Sequence, residues 1–127
     1  MTARLTKISN VILRVADLER SLEFYRDRLG MTVEGVSANF AFLDGGGLTL
    51  ALNSIGDTMK EHPPGLVEVV FEVDDVDAVF LALTGTGVQF RFEPRVVMSS
   101  EGRDLLAADF RDPDGNVLSI TGWRPVS

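Results

Sequence analysis

One strand-like stretch occurs twice in the chain, and this repeat decides the fold. Residues 10–17 read NVILRVAD, and residues 68–75 read EVVFEVDD. Both stretches alternate apolar with more polar positions, as in a β-strand with one buried face, and both end in an aspartate. Asp17 and Asp75 can cap the first free N–H groups of a helix, so each stretch predicts a strand followed directly by a helix.

The residues after each aspartate have the spacing of a helix with one apolar side. The apolar positions are Leu18, Leu22, Tyr25 and Leu29 in the first half, and Val76, Val79, Phe80 and Leu83 in the second. Their recurrence every three or four residues predicts two amphipathic helices. Gly30 should end the first helix, and Gly85 or Gly87 the second, because glycine readily adopts the left-handed backbone of a helix C terminus.

Three short strand-like runs follow each helix, so the chain reads as βαβββ twice. The runs cover residues 32–36, 40–43 and 48–53, then residues 89–97, 105–110 and 117–120. Glycines 45–47 and the DPDGN sequence at 112–116 predict turns between them. We therefore predict an α+β protein with a single domain over residues 1–127. Module one covers about 6–55, a linker 56–65, and module two about 66–123.

Each module should have a sheet with one face under its helix and one face uncovered, because side chains alternate along a strand. The uncovered positions are Asn10 and Ile12 in the first repeat, Glu68 and Val70 in the second, and Thr49 and Ser119 on the last strands of the modules. Two such sheets facing each other would form an open, barrel-like cleft, which is the default place for a small ligand. We expect the four polar positions to converge there.

Composition excludes several classes of protein. The chain has no cysteine, which removes disulfide frameworks, thiolate metal sites and cysteine nucleophiles. Its net charge of −7 disfavours nucleic acid as a partner. No run approaches the roughly 18 apolar residues of a membrane span, and the first residues have no apolar signal core. We expect a cytoplasmic protein, with its single histidine, His62, on the surface of the linker.

Three motifs, in this order, resemble the vicinal oxygen chelate superfamily, which includes glyoxalase I, bleomycin-resistance proteins and extradiol dioxygenases. They lie at residues 11–30, at 71–76 (FEVDDV) and at 112–118 (DPDGNVL), and Gly102-Arg103 resembles a further element of the family. The resemblance implies two βαβββ modules around a cleft. It also implies a homodimer, because two chains of this family commonly associate to complete each cleft.

The resemblance places the metal ligands of the family's enzymes at Asn10, Thr49, Glu68 and Ser119. Those enzymes carry, in this order, His or Gln, Glu, His and Glu, whereas this chain offers one carboxylate, an amide and two hydroxyls. Such oxygens hold zinc, nickel or iron(II) poorly. The resemblance therefore implies the metal-free branch, of which bleomycin-resistance proteins are an example. A protein of this branch needs no cofactor and sequesters a cationic or aromatic, drug-like ligand.

Aromatic and charged residues complete the candidate set. Phe110 and Trp123 join the ligand-binding residues, because aromatic faces hold planar or cationic ligands. Trp123 lies just past the predicted last strand, where it could instead form a lid or a dimer contact. Arg103 either orients an anionic ligand group or pairs with Asp104 or Asp109.

Two other functions remain open at this stage. The first is a lyase, isomerase or hydrolase of the same superfamily, with Glu68 as general base or with an unusual metal set completed by Asp109. The second is an accessory module whose cleft is filled by bulky side chains around Ile12, Val70 and Ser119. Loops 54–65 and 98–103 would shape the pocket, so the identity of the ligand does not follow from the sequence.

Overall fold

A computed structural model describes residue 6 and residues 10–54 and 67–126 of the chain. The chain divides into two compact units, Met1–His62 and Pro63–Ser127. The division falls within the stretch 56–65 that the sequence predicts as a linker. Each unit has the order strand, helix, strand, strand, strand, which confirms the predicted α+β fold with two βαβββ modules.

The first unit contains one helix and a four-stranded mixed sheet. Its elements are β1 (Asn10–Arg14), α1 (Leu18–Leu22) continued by a π-helical segment (Glu23–Arg28), β2 (Val33–Val36), β3 (Phe40–Asp44) and β4 (Thr49–Asn53). The strands lie in the order β1-β4-β3-β2. Strand β1 runs parallel to β4, and the other neighbours are antiparallel.

The second unit repeats this arrangement. Its elements are β5 (Glu68–Glu72), α2 (Val76–Gly85), β6 (Arg95–Ser100), β7 (Arg103–Arg111) and β8 (Val117–Pro125). The strands lie in the order β5-β8-β7-β6, again with the first strand parallel to the last one. The same topology in both units agrees with the repeat seen in the sequence.

The helices begin where the aspartates predict. An oxygen of Asp17 accepts a hydrogen bond from the backbone N–H of Arg20, and an oxygen of Asp75 accepts one from that of Ala78, both at 3.1 Å. Gly30 has the left-handed backbone expected after the first helix, with a φ of 75°. After the second helix this conformation falls on Gly87. In the described ranges, no helix is long and apolar enough to cross a membrane.

Each sheet buries one face in the core of its own unit. Buried side chains on the strands include Leu13, Leu43, Leu50 and Leu52 in the first unit, and Leu106, Ala108, Phe110, Leu118 and Ile120 in the second. Helical residues buried with them include Leu22 and Tyr25 in the first unit and Val76 in the second. Burial of these apolar surfaces is the main source of stability. The opposite face of each sheet, called the uncovered or open face below, carries exposed apolar side chains among the described residues, such as Ile12 and Phe42 in the first unit and Val70 in the second.

The predicted strand over residues 89–97 is wrong in its first half, because β6 begins at Arg95. Phe90 forms only an isolated bridge with Phe110. Its ring packs edge-on against the rings of Phe80 and Phe110, with centroids 4.7 and 5.0 Å apart. Tertiary packing of this aromatic ring therefore outweighs the local strand propensity.

The predicted loop over residues 98–103 is also wrong. Met98 to Ser100 belong to β6, and Arg103 begins β7. The two strands are joined by Glu101 and Gly102, whose φ angles are 54° and 73°. Positive φ at both central residues is typical of the two-residue turns that connect β-hairpins.

Gly122 packs so closely against the start of α2 that any side chain should be costly. A Cβ atom at this position would lie 2.5 Å from the carbonyl oxygen of Val73 and 3.0 Å from a methyl group of Val76. We expect Gly122→Ala to lower the free energy of unfolding by about 1–3 kcal/mol, as measured by urea denaturation followed by circular dichroism. Gly85→Ala is the matched control, because no atom lies within 4 Å of its added Cβ. Equal stability of the two variants would contradict this packing.

Candidate functional site

The uncovered face of the first sheet brings two predicted site residues together. Asn10 on β1 is the register partner of Thr49 on β4, and Ile12 is the partner of Ala51. Register partners share a face of the sheet, so Asn10, Ile12 and Thr49 lie on the same surface. Asn10 and Ile12 are exposed, and Thr49 is half-buried.

Two phenylalanines extend this face with an aromatic surface. The rings of Phe40 and Phe42 on β3 are stacked, with centroids 6.0 Å apart and planes 4° from parallel. Phe42 is the register partner of Ala51, which places both rings on the uncovered face. Their spacing of two residues already predicts that both side chains lie on the same face of a strand. The set of candidate site residues nevertheless did not include them.

The uncovered face of the second sheet brings together Glu68, Val70 and Ser119. The hydroxyl of Ser119 donates a hydrogen bond of 2.8 Å to Oε2 of Glu68. Val70 is the register partner of Ser119 and is 55% exposed, whereas Ser119 is 2% exposed. A buried hydroxyl is thus satisfied by a carboxylate that itself remains exposed.

The structure corrects the assignment of Phe110 to the ligand-binding set. Phe110 is 2% exposed and lies on the covered face, next to Leu118 in the register. Its ring contacts the ring of Phe90 in the core of the unit. Phe110 therefore supports the sheet and does not line its open face.

Trp123 and Arg103 form a pair on the open face of the second sheet. Trp123 lies within β8, opposite Leu105, so its predicted place beyond the last strand is wrong. The guanidinium carbon of Arg103 lies 5.0 Å from the centroid of a Trp123 ring, which is a cation–π contact. Neither expected partner of Arg103 is engaged with it, because Asp104 accepts a hydrogen bond of 2.6 Å from Ser99 and Asp109 binds another arginine.

Asp109 is held by Arg91 in a two-point contact. Its oxygens lie 2.7 Å from Nη2 and 3.3 Å from Nε of the guanidinium. Asp109 is also the register partner of Ser119, so this ion pair borders the Glu68–Ser119 hydrogen bond. Since both oxygens of Asp109 already face a cation, the geometry does not favour Asp109 as the missing metal ligand.

The side-chain donors at the carried-over positions do not fit zinc, nickel or iron(II), the transition metals considered above. The four carried-over positions supply one carboxylate, from Glu68, with the amide of Asn10 and the hydroxyls of Thr49 and Ser119. Over the described ranges, no group of three or more His, Asp or Glu side chains could hold a metal ion. His62 lies outside these ranges. The convergence of the Asn10–Thr49 pair with the Glu68–Ser119 pair stays a prediction.

Comparison with known proteins identifies the family. Residues 7–120 match the glyoxalase/bleomycin resistance protein/dioxygenase superfamily. The chain belongs to this superfamily. A glyoxalase/bleomycin resistance protein/dioxygenase from Nocardioides has the same fold, with a TM-score of 0.77 at 24% identity, over 96% of this chain and 86% of that one.

Two further relatives were found by comparing amino-acid sequences. A lactoylglutathione lyase of Haemophilus influenzae is 33% identical over 121 residues, which cover 86% of this chain and 87% of the enzyme. The uncharacterized protein YraH of Bacillus subtilis is 29% identical over 126 residues, covering 90% of this chain and 96% of that protein. Similarity therefore extends over most of this superfamily member.

Proposed function

We propose that this superfamily member is a cytoplasmic homodimer that binds a small, partly aromatic, drug-like organic molecule without a metal. The observation that carries the proposal is the hydrogen bond between Ser119 and Glu68. A hydroxyl stands where the metal enzymes of the superfamily have a carboxylate, and the one carboxylate of the set holds that hydroxyl. The remaining donors are neutral oxygens, which suit hydrogen bonds to an organic ligand better than coordination of a transition metal.

The chemistry of the open faces supports an organic ligand. Ile12 and Phe42 are exposed apolar side chains on the first sheet, and Val70 is one on the second. Each lies beside a small number of polar groups, among them Asn10 and Glu68. Apolar surface with a few fixed polar groups is typical of sites for small organic molecules.

Metal analysis tests the proposal directly. Protein purified without chelators should contain much less than one equivalent of zinc, nickel, iron or manganese when measured by inductively coupled plasma mass spectrometry. A thermal-shift screen should find stabilising compounds among cationic antibiotics, thiol adducts of 2-oxoaldehydes, and catechols. A ligand at 100 times its Kd adds about 2.7 kcal/mol to the stability of the folded state. One equivalent of a tightly bound transition metal, or a screen without any hit, would reject the proposal.

The second candidate is a lyase, which the similarity to the Haemophilus influenzae lactoylglutathione lyase favours. In this alternative Glu68 is the general base, since its carboxylate is exposed on the open face. The proposal predicts that the wild-type protein forms no S-lactoylglutathione from glutathione and methylglyoxal. It also predicts that Glu68→Gln, like the wild-type protein, shows no such lyase activity.

The variant separates the two functions. If the wild-type protein is active and Glu68→Gln loses about 10²–10⁴-fold in kcat, as expected for a general base, the lyase is correct and the binding protein is not. Glu101→Gln removes the same charge in the β6–β7 turn and serves as the control. The glutamine oxygen can still accept the hydrogen bond of Ser119, so a loss of folding is not expected.

A further inference from the structure

One row of residues crosses all four strands of the second sheet on its open face. The register joins Arg95 to Ala107, Ala107 to Thr121, and Thr121 to Glu72. The row therefore has a cation at one end, an anion at the other and two small residues between them. Neighbouring strands lie about 4.8 Å apart, so the backbones of the two charged residues are separated by about 14 Å.

Arg95 is held in place but retains donors for a ligand. Its guanidinium carbon lies 4.7 Å from the ring centroid of Phe92, which is 49% exposed. Across the described ranges, no carboxylate lies within ion-pair distance of Arg95. Arg91 contacts the same ring at 5.0 Å, but Asp109 engages its guanidinium. Of these two cations, Arg95 is the one that can accept a new anion.

Glu72 provides the opposite charge on the outer strand β5. Its side chain is exposed, and in the described part of the chain it has neither a hydrogen-bond donor nor an ion-pair partner. Thr121 and Ala107 lie between Glu72 and Arg95 in the register, and their side chains are short. They therefore leave space above the sheet for a ligand. Trp123 with Leu105 borders the row on one side, and Ser119 with Asp109 borders it on the other.

We propose that the ligand is a planar zwitterion that lies across this row, with its anionic group on Arg95 and its cationic group on Glu72. A guanidinium binds a carboxylate through two parallel hydrogen bonds, and the ring of Phe92 fixes the guanidinium beforehand. The planar body of the ligand covers Ala107 and Thr121, with the Trp123 side chain along its edge. This inference rests on the proposed function and narrows the class of ligand that it requires.

Isothermal titration calorimetry with three matched compounds tests the inference. The compounds are 4-guanidinobenzoate, which carries both charges, 4-acetamidobenzoate, which carries only the anion, and 4-guanidinobenzamide, which carries only the cation. We expect the zwitterion to bind at least roughly tenfold more tightly than either compound with one charge, since charge-assisted hydrogen bonds form at both ends. Arg95→Gln should weaken only the two benzoates, and Glu72→Gln only the two guanidino compounds.

Arg124→Gln is the matched control for the loss of a positive charge. Arg124 lies on the same sheet but pairs with Asp77 of α2, at 3.0 Å, instead of joining the row. Its removal should leave all three affinities unchanged, and circular dichroism should show all variants folded. Equal affinity of the three compounds, or the same response in all variants, would overturn the zwitterion and leave the proposed function intact. Absence of binding by all three would overturn the zwitterion, and the proposed function would fail only if the thermal-shift screen were also empty.

Discussion

Replacing Asp112 with alanine is expected to lower the free energy of unfolding by about 3 kcal/mol, because it leaves buried donors without partners. Asp112 is 5% exposed and begins the turn between β7 and β8. Its Oδ1 accepts hydrogen bonds from the backbone N–H groups of Asp114, at 2.9 Å, and Asn116, at 2.8 Å. Its Oδ2 accepts one of 2.9 Å from the side-chain amide of Asn116.

Asp44→Ala is the control for this prediction. Asp44 also accepts a hydrogen bond in a turn, from the backbone N–H of Gly46 at 2.9 Å, but this contact is exposed. Its loss should cost no more than about 1 kcal/mol. Guanidinium chloride denaturation followed by far-UV circular dichroism measures both variants. If Asp112→Ala proves as stable as Asp44→Ala, the buried network does not stabilise the β7–β8 hairpin. It would then not fix the position of Ser119 on β8 either.

Replacing Leu118 with alanine is the second large effect, an expected loss of about 2–5 kcal/mol. Leu118 is 0% exposed and lies on the covered face of the second sheet, between Val69 and Phe110 in the register. The substitution removes buried apolar atoms and leaves a cavity that the surrounding strands can fill only in part.

Val70→Ala gives the contrast, since Val70 lies on the open face of the same sheet. We expect it to change the free energy of unfolding by no more than about 0.5 kcal/mol, as for most surface positions. The same denaturation experiment compares the two variants. Similar losses at Leu118 and Val70 would mean that the covered and open faces are wrongly assigned, and the argument for a ligand on the open face would fall with them.

Local patterns in the sequence were sufficient for the parts of the fold that local interactions determine. Asp17 and Asp75 cap their helices because the capping oxygen and the N–H it satisfies lie only three residues apart. The alternation in residues 68–73 correctly placed Glu68 and Val70 on the uncovered face, because successive strand residues point to opposite sides. Neither inference required knowledge of contacts between distant segments.

The errors came from segments without alternation and from contacts between distant residues. Residues 105–108 read LLAA, so the sequence gives no sign of which face of β7 is buried, and Phe110 could not be placed. The ion pair between Arg91 and Asp109 depends on the irregular segment before β6. This segment lies against β7, where the backbone N–H of Arg91 donates a hydrogen bond to the carbonyl oxygen of Asp109. The π-helical segment was also not predicted. It buries the expected Tyr25, but it buries Phe24 as well, which the spacing of an α-helix had not placed on the apolar side.

Trp123 shows how a strand can extend past its apparent end. The predicted strand stops at residue 120, because Thr121 and Gly122 weaken the apolar pattern. In the structure β8 continues to Pro125, paired with β7 along its whole length. Gly122 does not break the strand, since its missing side chain makes room for the carbonyl group of Val73.

The contact between Arg103 and Trp123 also has a practical consequence for spectroscopy. The chain contains a single tryptophan, so indole emission excited at the red edge of protein absorption originates at this one position. The indole is half-buried on the open face, with the guanidinium of Arg103 against it. A molecule that binds nearby changes the polarity around the indole and the quenching of its emission. The protein thus carries its own unlabelled fluorescent reporter beside the surface where a guest is expected.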